Sequence, residues 1–368
     1  MKSFFIASTK QHVGKTTLSL GLLSGLQKRG IKCSYMKPIG QELEKTESGL
    51  LLDKDVCLIK EHFGLEGNVE SMSPVLIAPG FTKDYLDQKI QTETLAKKIT
   101  SSYQELQKTG LTLLVEGTGH MGVGSIINLN NAQVAKQLKL PVLLIASGGL
   151  GSSFDELMLN KTLCDLYGVP ILGVVLNRVK PDKKEMIASY MQKALNTWNI
   201  PLLGCIPTDS ILEIPSLYDL KNLFKGSFLS GEDSKFKHFK QIRLAAASAP
   251  FFRETIEPNQ LVITPAHRED IILAILAKYW ELHLLKNEYH LPVGLILTGH
   301  LPPRNFIIEE LKKAHIPAFH TPLHSDEVLE KVNSFTAKIQ KEDHEKIQEA
   351  IKVVEENINF DLLLKILA

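Results

Sequence analysis

Between the apolar stretch Ser3–Ala7 and the amphipathic stretch Lys15–Arg29 lies the run Ser8-Thr9-Lys10-Gln11-His12-Val13-Gly14-Lys15-Thr16-Thr17, and few sequence signals limit a fold as tightly. A polyphosphate needs converging backbone N–H groups, a helix N-terminus with its partial positive charge, an ammonium for the outer phosphates and a hydroxyl for Mg²⁺. Gly14, Lys15 and Thr16 supply these parts, and His12, Val13 and Thr17 complete the loop. Strand, loop and helix in that order demand an α/β fold in which a buried strand delivers the loop to the edge of a sheet. The strict G-x-x-x-x-G-K-[ST] pattern fails at its first position, where Thr9 replaces glycine.

The rest of the first 207 residues continues that rhythm. Leu111–Glu116, Val142–Ala146 and Ile171–Leu176 are nearly continuous Leu, Ile and Val, the composition of parallel strands buried on both faces; Cys33–Met36 and Leu202–Ile206 are further strand candidates. Helical stretches such as Glu93–Lys108 and Ser153–Tyr167 end at Gly110 and Gly168, where glycine relieves a left-handed helix end. The expected fold class is α/β: a mostly parallel sheet with helices on both faces, followed by a smaller α/β domain. At roughly 150 residues per domain, 368 residues suggest about two. The boundaries expected are 1–210 for the first domain, 211–240 for a linker rich in breaks such as Pro215, Gly226 and Gly231, and 241–368 for the second domain with its C-terminal helices.

Charge is balanced, with 42 Lys and Arg against 41 Asp and Glu, so no overall field favours nucleic acid or an anionic membrane. The four cysteines are scattered without C-x-x-C spacing and read as buried thiols of a cytoplasmic protein. No apolar run approaches the ~18 residues of a membrane span, and the start is too short in apolar residues for a secretory leader.

Several strand ends carry chemistry. Lys37, after the second strand, would project into the crevice that holds the phosphate loop. Asp55, in Asp53-Lys54-Asp55, is either a helix-dipole partner or a ligand of Mg²⁺. Glu116, at the tip of the third strand, is placed to hold Mg²⁺ or its water. Asn177, followed by Arg178, either reads an adenine edge or serves a turn before Pro181. Gly117-Thr118-Gly119-His120-Met121-Gly122 is formally G-x-G-x-x-G, but the apolar continuation Val123–Leu129 does not open a clean helix. The Ser147–Ser152 run is a backbone-donor loop or a plain turn. His267, His290, His300, His315, His320 and His324 crowd the second domain without metal-ligand spacing.

With Lys10 four residues before Gly14, Lys37-Pro38, Glu116-Gly117 and Asn177-Arg178, the first domain resembles dethiobiotin synthetase and the cobyrinic acid a,c-diamide synthase group of P-loop ATPases. Lys10 matches the signature lysine of that deviant loop, with Gln11 and His12 in place of its two glycines. The resemblance implies ATP and Mg²⁺ as cofactors. It puts phosphate binding on Lys15 and Thr16, the metal on Thr16, Asp55 and Glu116, a substrate role on Lys37 and adenine on Asn177; the candidate catalytic residues are Lys10, Lys15, Lys37 and Glu116. Farther on, Ile263–Ile272 and Leu295–His300 look like a DRTGG domain, with Ala266, His267, Glu269 and His300 departing from its usual residues. The pair resembles the N-terminal half of long bacterial phosphotransacetylases, without the phosphotransacetylase domain.

The expected function is that of a Mg²⁺/ATP-dependent regulatory or sensor ATPase acting as a homodimer, because in deviant-loop dimers the signature lysine reaches the partner's nucleotide. The alternative is an ATP-dependent ligase that activates a carboxylate or carbamate on a small molecule. Nucleotide and a small-molecule effector or substrate are the expected partners; nucleic acid and membrane are not.

Overall fold

Phe4–Ser8 (β1) and Cys33–Met36 (β2) are buried along their whole lengths, and a strand with no solvated side can sit only inside a sheet covered on both faces. In the computed structural model, which describes residues 2–46, 48–285 and 291–368, they join Thr112–His120 (β3), Val142–Ser147 (β4), Ile171–Val179 (β5) and Leu202–Pro207 (β6). The sheet order is β6-β5-β4-β1-β3-β2, parallel throughout. Parallel neighbours need crossovers, and Lys15–Lys28 (α1), Lys54–Phe63 (α2), Thr92–Gln107 (α3), Asn131–Leu138 (α4), Gly151–Tyr167 (α5) and Lys184–Asn196 (α6) provide them. The result is the α/β architecture expected from the apolar runs. The four cysteines are free and buried.

Residues 210–338 form a second compact unit. Its longer helices are Leu217–Phe224 (α7), Ala249–Thr255 (α8), Glu269–Leu285 (α9), Asn305–Lys313 (α10) and Ser325–Ser334 (α11). Its strands, Ser227–Ser230 (β7), Gln241–Leu244 (β8), Gln260–Pro265 (β9), Gly294–Thr298 (β10) and Ala318–Thr321 (β11), order as β7-β11-β10-β9-β8, with β7 antiparallel to β11 and the rest parallel. Alternate residues of β9 and β10 feed two cores: Val262, Leu295 and Leu297 pack with Phe252 and Ile275, whereas Leu261, Ile263 and Ile296 pack with Leu220 and Val328.

The division expected from the sequence differs from this at two places. Residues 211–240 are not a linker: Leu217, Leu220, Phe224 and Phe239 are core residues of the second unit. The end of the chain, 339–368, belongs to the first unit, which therefore consists of 1–209 and 339–368. The reason lies in α1. Every residue from Leu18 to Leu26 is buried, and a helix buried on all sides needs cover on the side away from its sheet. His344–Asn357 (α12) and Phe360–Leu367 (α13) give that cover. Gly21 and Gly25, one turn apart, form the seat: a Cβ on Gly21 would lie 2.2 Å from Val354 Cβ, and one on Gly25 2.1 Å from Phe360 Cζ. Polar contacts close the edge. Ser24 donates to Glu355 at 2.6 Å, Lys28 pairs with the same carboxylate at 2.6 Å, and the Arg29 guanidinium lies 4.1 Å from the centre of the Phe360 ring.

Gly25→Ala is expected to destabilise the chain by about 1–3 kcal/mol through overpacking. Chemical denaturation measures this, and Phe360→Leu in the Gly25→Ala background should recover part of the loss.

Candidate functional site

β1 ends at Ser8 and α1 begins at Lys15, so the phosphate loop lies at the carboxyl edge of the first sheet. Gly14 caps α1 at φ 98°, a left-handed conformation that glycine takes without strain, and no side chain caps that helix start. The first-turn N–H groups and the positive end of the helix dipole are thus presented to a ligand. Lys15 Nζ donates to Ser8 Oγ at 3.1 Å. Burial, helped by the like charge of Lys37, holds its pKa below the usual range against the pull of Glu116 and Asp55.

Beneath the loop stands Asn177. Its Nδ2 donates to the Val13 carbonyl at 2.7 Å, and its Oδ1 accepts from the Arg178 N–H at 2.9 Å. In this arrangement the Asn177 amide braces the loop from below. Arg178 follows it in a left-handed conformation, φ 59°, as does His12, also φ 59°, in the loop itself.

Facing the start of α1 is a cluster of opposite charges. Lys37, its side chain only 7% exposed, pairs with Asp53 Oδ1 at 3.0 Å and with Asp55 Oδ2. Asp53 caps α2 and accepts backbone N–H groups of Asp55 at 3.0 Å, Gln41 at 3.1 Å and Glu42 at 3.3 Å. Asp55 accepts from Thr16 Oγ1 at 3.1 Å. Glu116, buried on β3, accepts from Ser19 Oγ at 2.7 Å and from the Tyr35 hydroxyl at 3.0 Å.

These contacts set the protons. Burial and the charge of Asp55 push the Glu116 carboxyl up to about 7, against Lys37 and Lys15. Burial alone would raise Asp55, but Lys37, Thr16 and Lys15 outweigh it and hold that carboxyl low. Burial raises Asp53 even beside Lys37. Lys37 is itself desolvated, yet Asp55, Asp53 and Glu116 together lift its pKa, so it stays an ammonium.

The hydroxyl of Thr16 and the carboxylates of Asp55 and Glu116 form a hard-oxygen donor set, the kind Mg²⁺ takes when phosphate oxygens and water complete its shell. Among the described residues no group of three His, Cys, Asp or Glu is placed to hold a metal ion by itself.

The structure therefore brings Lys15, Thr16, Lys37, Asp55 and Glu116 together. Lys10 turns elsewhere: its Nζ pairs with Glu156 on α5 at 3.0 Å, and the other oxygen of that carboxylate accepts from Thr9 Oγ1 at 2.9 Å. That bond uses the side chain that departs from the strict motif. Sequence reasoning missed Asp53, Ser8, Ser19, Tyr35 and Glu156. Ser19 had a signal, since i and i+3 share a helix face with Thr16; Glu156 had none locally.

Other features take structural roles. The Gly117–Gly122 run continues β3 to His120 and then turns without opening a helix, which is not the dinucleotide setting. Gly148 lies against the Arg178–Val179 backbone, where an added Cβ would come within 2.4 Å of the Arg178 carbonyl oxygen. In the second unit Arg268 forks onto Asp270 at 2.8 and 2.9 Å, Arg304 pairs with Glu269, and the rings of His300 and His324 meet edge-on at 5.6 Å. His290 lies outside the described residues, as does Glu47. Among the described residues no helix is long and apolar enough to cross a membrane.

A family model described as an AAA domain matches residues 2–216, and one described as a DRTGG domain matches residues 219–335, in the order expected from the motifs. The phosphate acetyltransferase of Nitrosomonas europaea is 25% identical over 379 residues, covering 99% of this chain and 52% of its own length. That of Pseudomonas aeruginosa is 27% identical over 386 residues, with coverage of 99% and 52%. The chain spans about half the length of the curated relatives it matches. Among solved structures, the cell division protein MinD of Aquifex aeolicus overlaps 58% of this chain and 84% of its own at a TM-score of 0.36 and 17% identity.

Glu116 yields a test that needs no ligand. The folded chain keeps this proton to about pH 7, whereas the ordinary value is about 4.5, so between those limits the folded form binds more protons than the unfolded one. The contribution of Glu116 to stability therefore falls as pH rises from about 4.5 to about 7 and is level above that. The difference in melting temperature between Glu116→Gln and the parent chain, followed across this range without nucleotide, should shift in favour of the variant as pH rises.

Proposed function

The chain belongs to the family of the AAA domain matched over residues 2–216, and on that footing we propose that it is a Mg²⁺-ATP-binding regulatory or sensor ATPase of the cytoplasm, acting as a homodimer. The observation that carries this reading is the convergence of Lys15, Thr16, Asp55 and Glu116 on the uncapped start of α1. In this reading Lys15 leaves Ser8 for the outer phosphates, and the first-turn N–H groups of α1 take phosphate oxygens. Thr16, Asp55 and Glu116 would hold Mg²⁺, which supplies neutralisation of the charge on the outer phosphates. Glu116 gives up its proton to do so, which ties affinity to pH.

Lys37 favours regulation over ligation. Fixed between Asp53 and Asp55 and held as an ammonium, it is suited to keeping the acids in place, not to accepting a proton from a substrate. Lys10, half-exposed at the loop's mouth, is the cation available to a second copy's nucleotide once it leaves Glu156. The DRTGG unit would take the small-molecule effector. In relation to the acetyl transfer for which the relatives are named, these residues would have a controlling part.

Mg²⁺-ATP should raise the melting temperature of the parent chain, and Lys15→Ala should abolish the rise. Lys10→Ala should retain nucleotide binding and lose most of the hydrolysis and the nucleotide-dependent dimer, as read by phosphate release and light scattering. A parent chain whose melting is indifferent to ATP would end the proposal.

A further inference from the structure

The second unit ends at Lys338, and the chain re-enters the first unit at Ile339. Shortly after this return, Lys341 forms ion pairs with Glu44 at 3.1 Å and Glu61 at 3.7 Å. These two acids sit on the elements that deliver the acid pair. Glu44 lies in the ribbon Leu43–Lys45/Leu51–Asp53, where Leu43 pairs with Asp53, and Glu61 lies on α2, whose cap is Asp53 and whose first turn holds Asp55. The Lys54 N–H bonds the Glu42 carbonyl at 2.8 Å, tying the ribbon to the start of the same helix. Two residues beyond Lys341, Asp343 caps α12, the helix that packs on α1 at Gly21.

We infer that Lys341, in the segment by which the chain returns to the first unit, is a positioning residue for the metal-binding acids. The inference rests on the Mg²⁺-ATP reading and names a residue that positions that site. Lys341 clamps ribbon and helix against each other from outside the acid pair, and the angle between those elements sets where the Asp53 and Asp55 carboxylates stand. Both partners are partly exposed, 24% for Glu44 and 67% for Glu61, so the clamp is an adjustable contact rather than a core one.

The test separates a positioning role from a structural one by the metal. Binding of ATP to the full-length chain is measured by titration calorimetry with Mg²⁺ and with a chelator in its place, for the parent, Lys341→Ala, Lys341→Arg and Glu44→Gln. Lys341→Ala should weaken Mg²⁺-ATP binding about three- to tenfold and leave metal-free ATP binding unchanged. Lys341→Arg should stay within about twofold of the parent, and the Lys341→Ala/Glu44→Gln double variant should be no weaker than the worse single variant. Equal loss with and without metal, or no loss, overturns the inference. If Lys341→Ala proves poorly folded, Glu44→Gln alone decides, because it leaves the lysine and the return segment intact. A parent chain that fails to bind ATP in either condition instead overturns the nucleotide reading itself.

Discussion

Lys37 sits between Asp53 and Asp55 in a place water barely reaches, and an ion buried alone there would carry a desolvation penalty of several kcal/mol. The lysine therefore cannot be where it is unless the ribbon and α2 bring both acids to it, and the acids cannot approach each other without the lysine. The ribbon and α2 are locked to the end of β2 by this one cation. Through Thr16 the lock reaches α1, and beside the larger effect of burial the charge of Asp55 helps to raise the Glu116 carboxyl. An intact buried ion cluster adds little net stability, while removal of one member typically costs about 3–5 kcal/mol. Its effect is thus geometrical: it decides where charge stands before any phosphate arrives.

Much of this was legible in the sequence because it is local. The apolar runs around Leu113, Leu144 and Val174 announced buried parallel strands, and Gly14-Lys15-Thr16 between strand and helix announced the loop. Strand-end logic also directed Lys37 and Glu116 to the same crevice. What stayed hidden depends on residues far apart in the chain. Ser24 meets Glu355 across 331 positions, and no periodicity in α1 says which segment covers its outer face. The same distance hid Glu156, 146 positions from Lys10. Asn177 was ambiguous for another reason: an amide at a strand end can serve a ligand or a backbone, and its bond to the Val13 carbonyl depends on a residue 164 positions away.

The second unit shows the limit from the other side. Its strands and helices agree with the pattern of apolar and polar residues, yet the boundary does not, because Pro215, Gly226 and Gly231 punctuate a segment that nevertheless supplies Leu217, Leu220 and Phe224 to a core. Breaks in rhythm mark turns. They mark domain boundaries only when the apolar residues between them have nowhere to pack.

Since the first unit is closed by residues 339–368, it is made of two pieces of chain separated by a whole second unit. During synthesis the first 209 residues leave the ribosome with Gly21, Gly25 and their apolar neighbours on α1 uncovered, and they remain so while the second unit, Ser210–Lys338, is made. At elongation rates of about 5–20 residues per second that exposure lasts several seconds or more, during which the nascent chain displays a sticky helix face. The segment that completes the first unit is thus also the last of these residues to be translated, so α1 reaches its final environment only after the second unit has had time to fold.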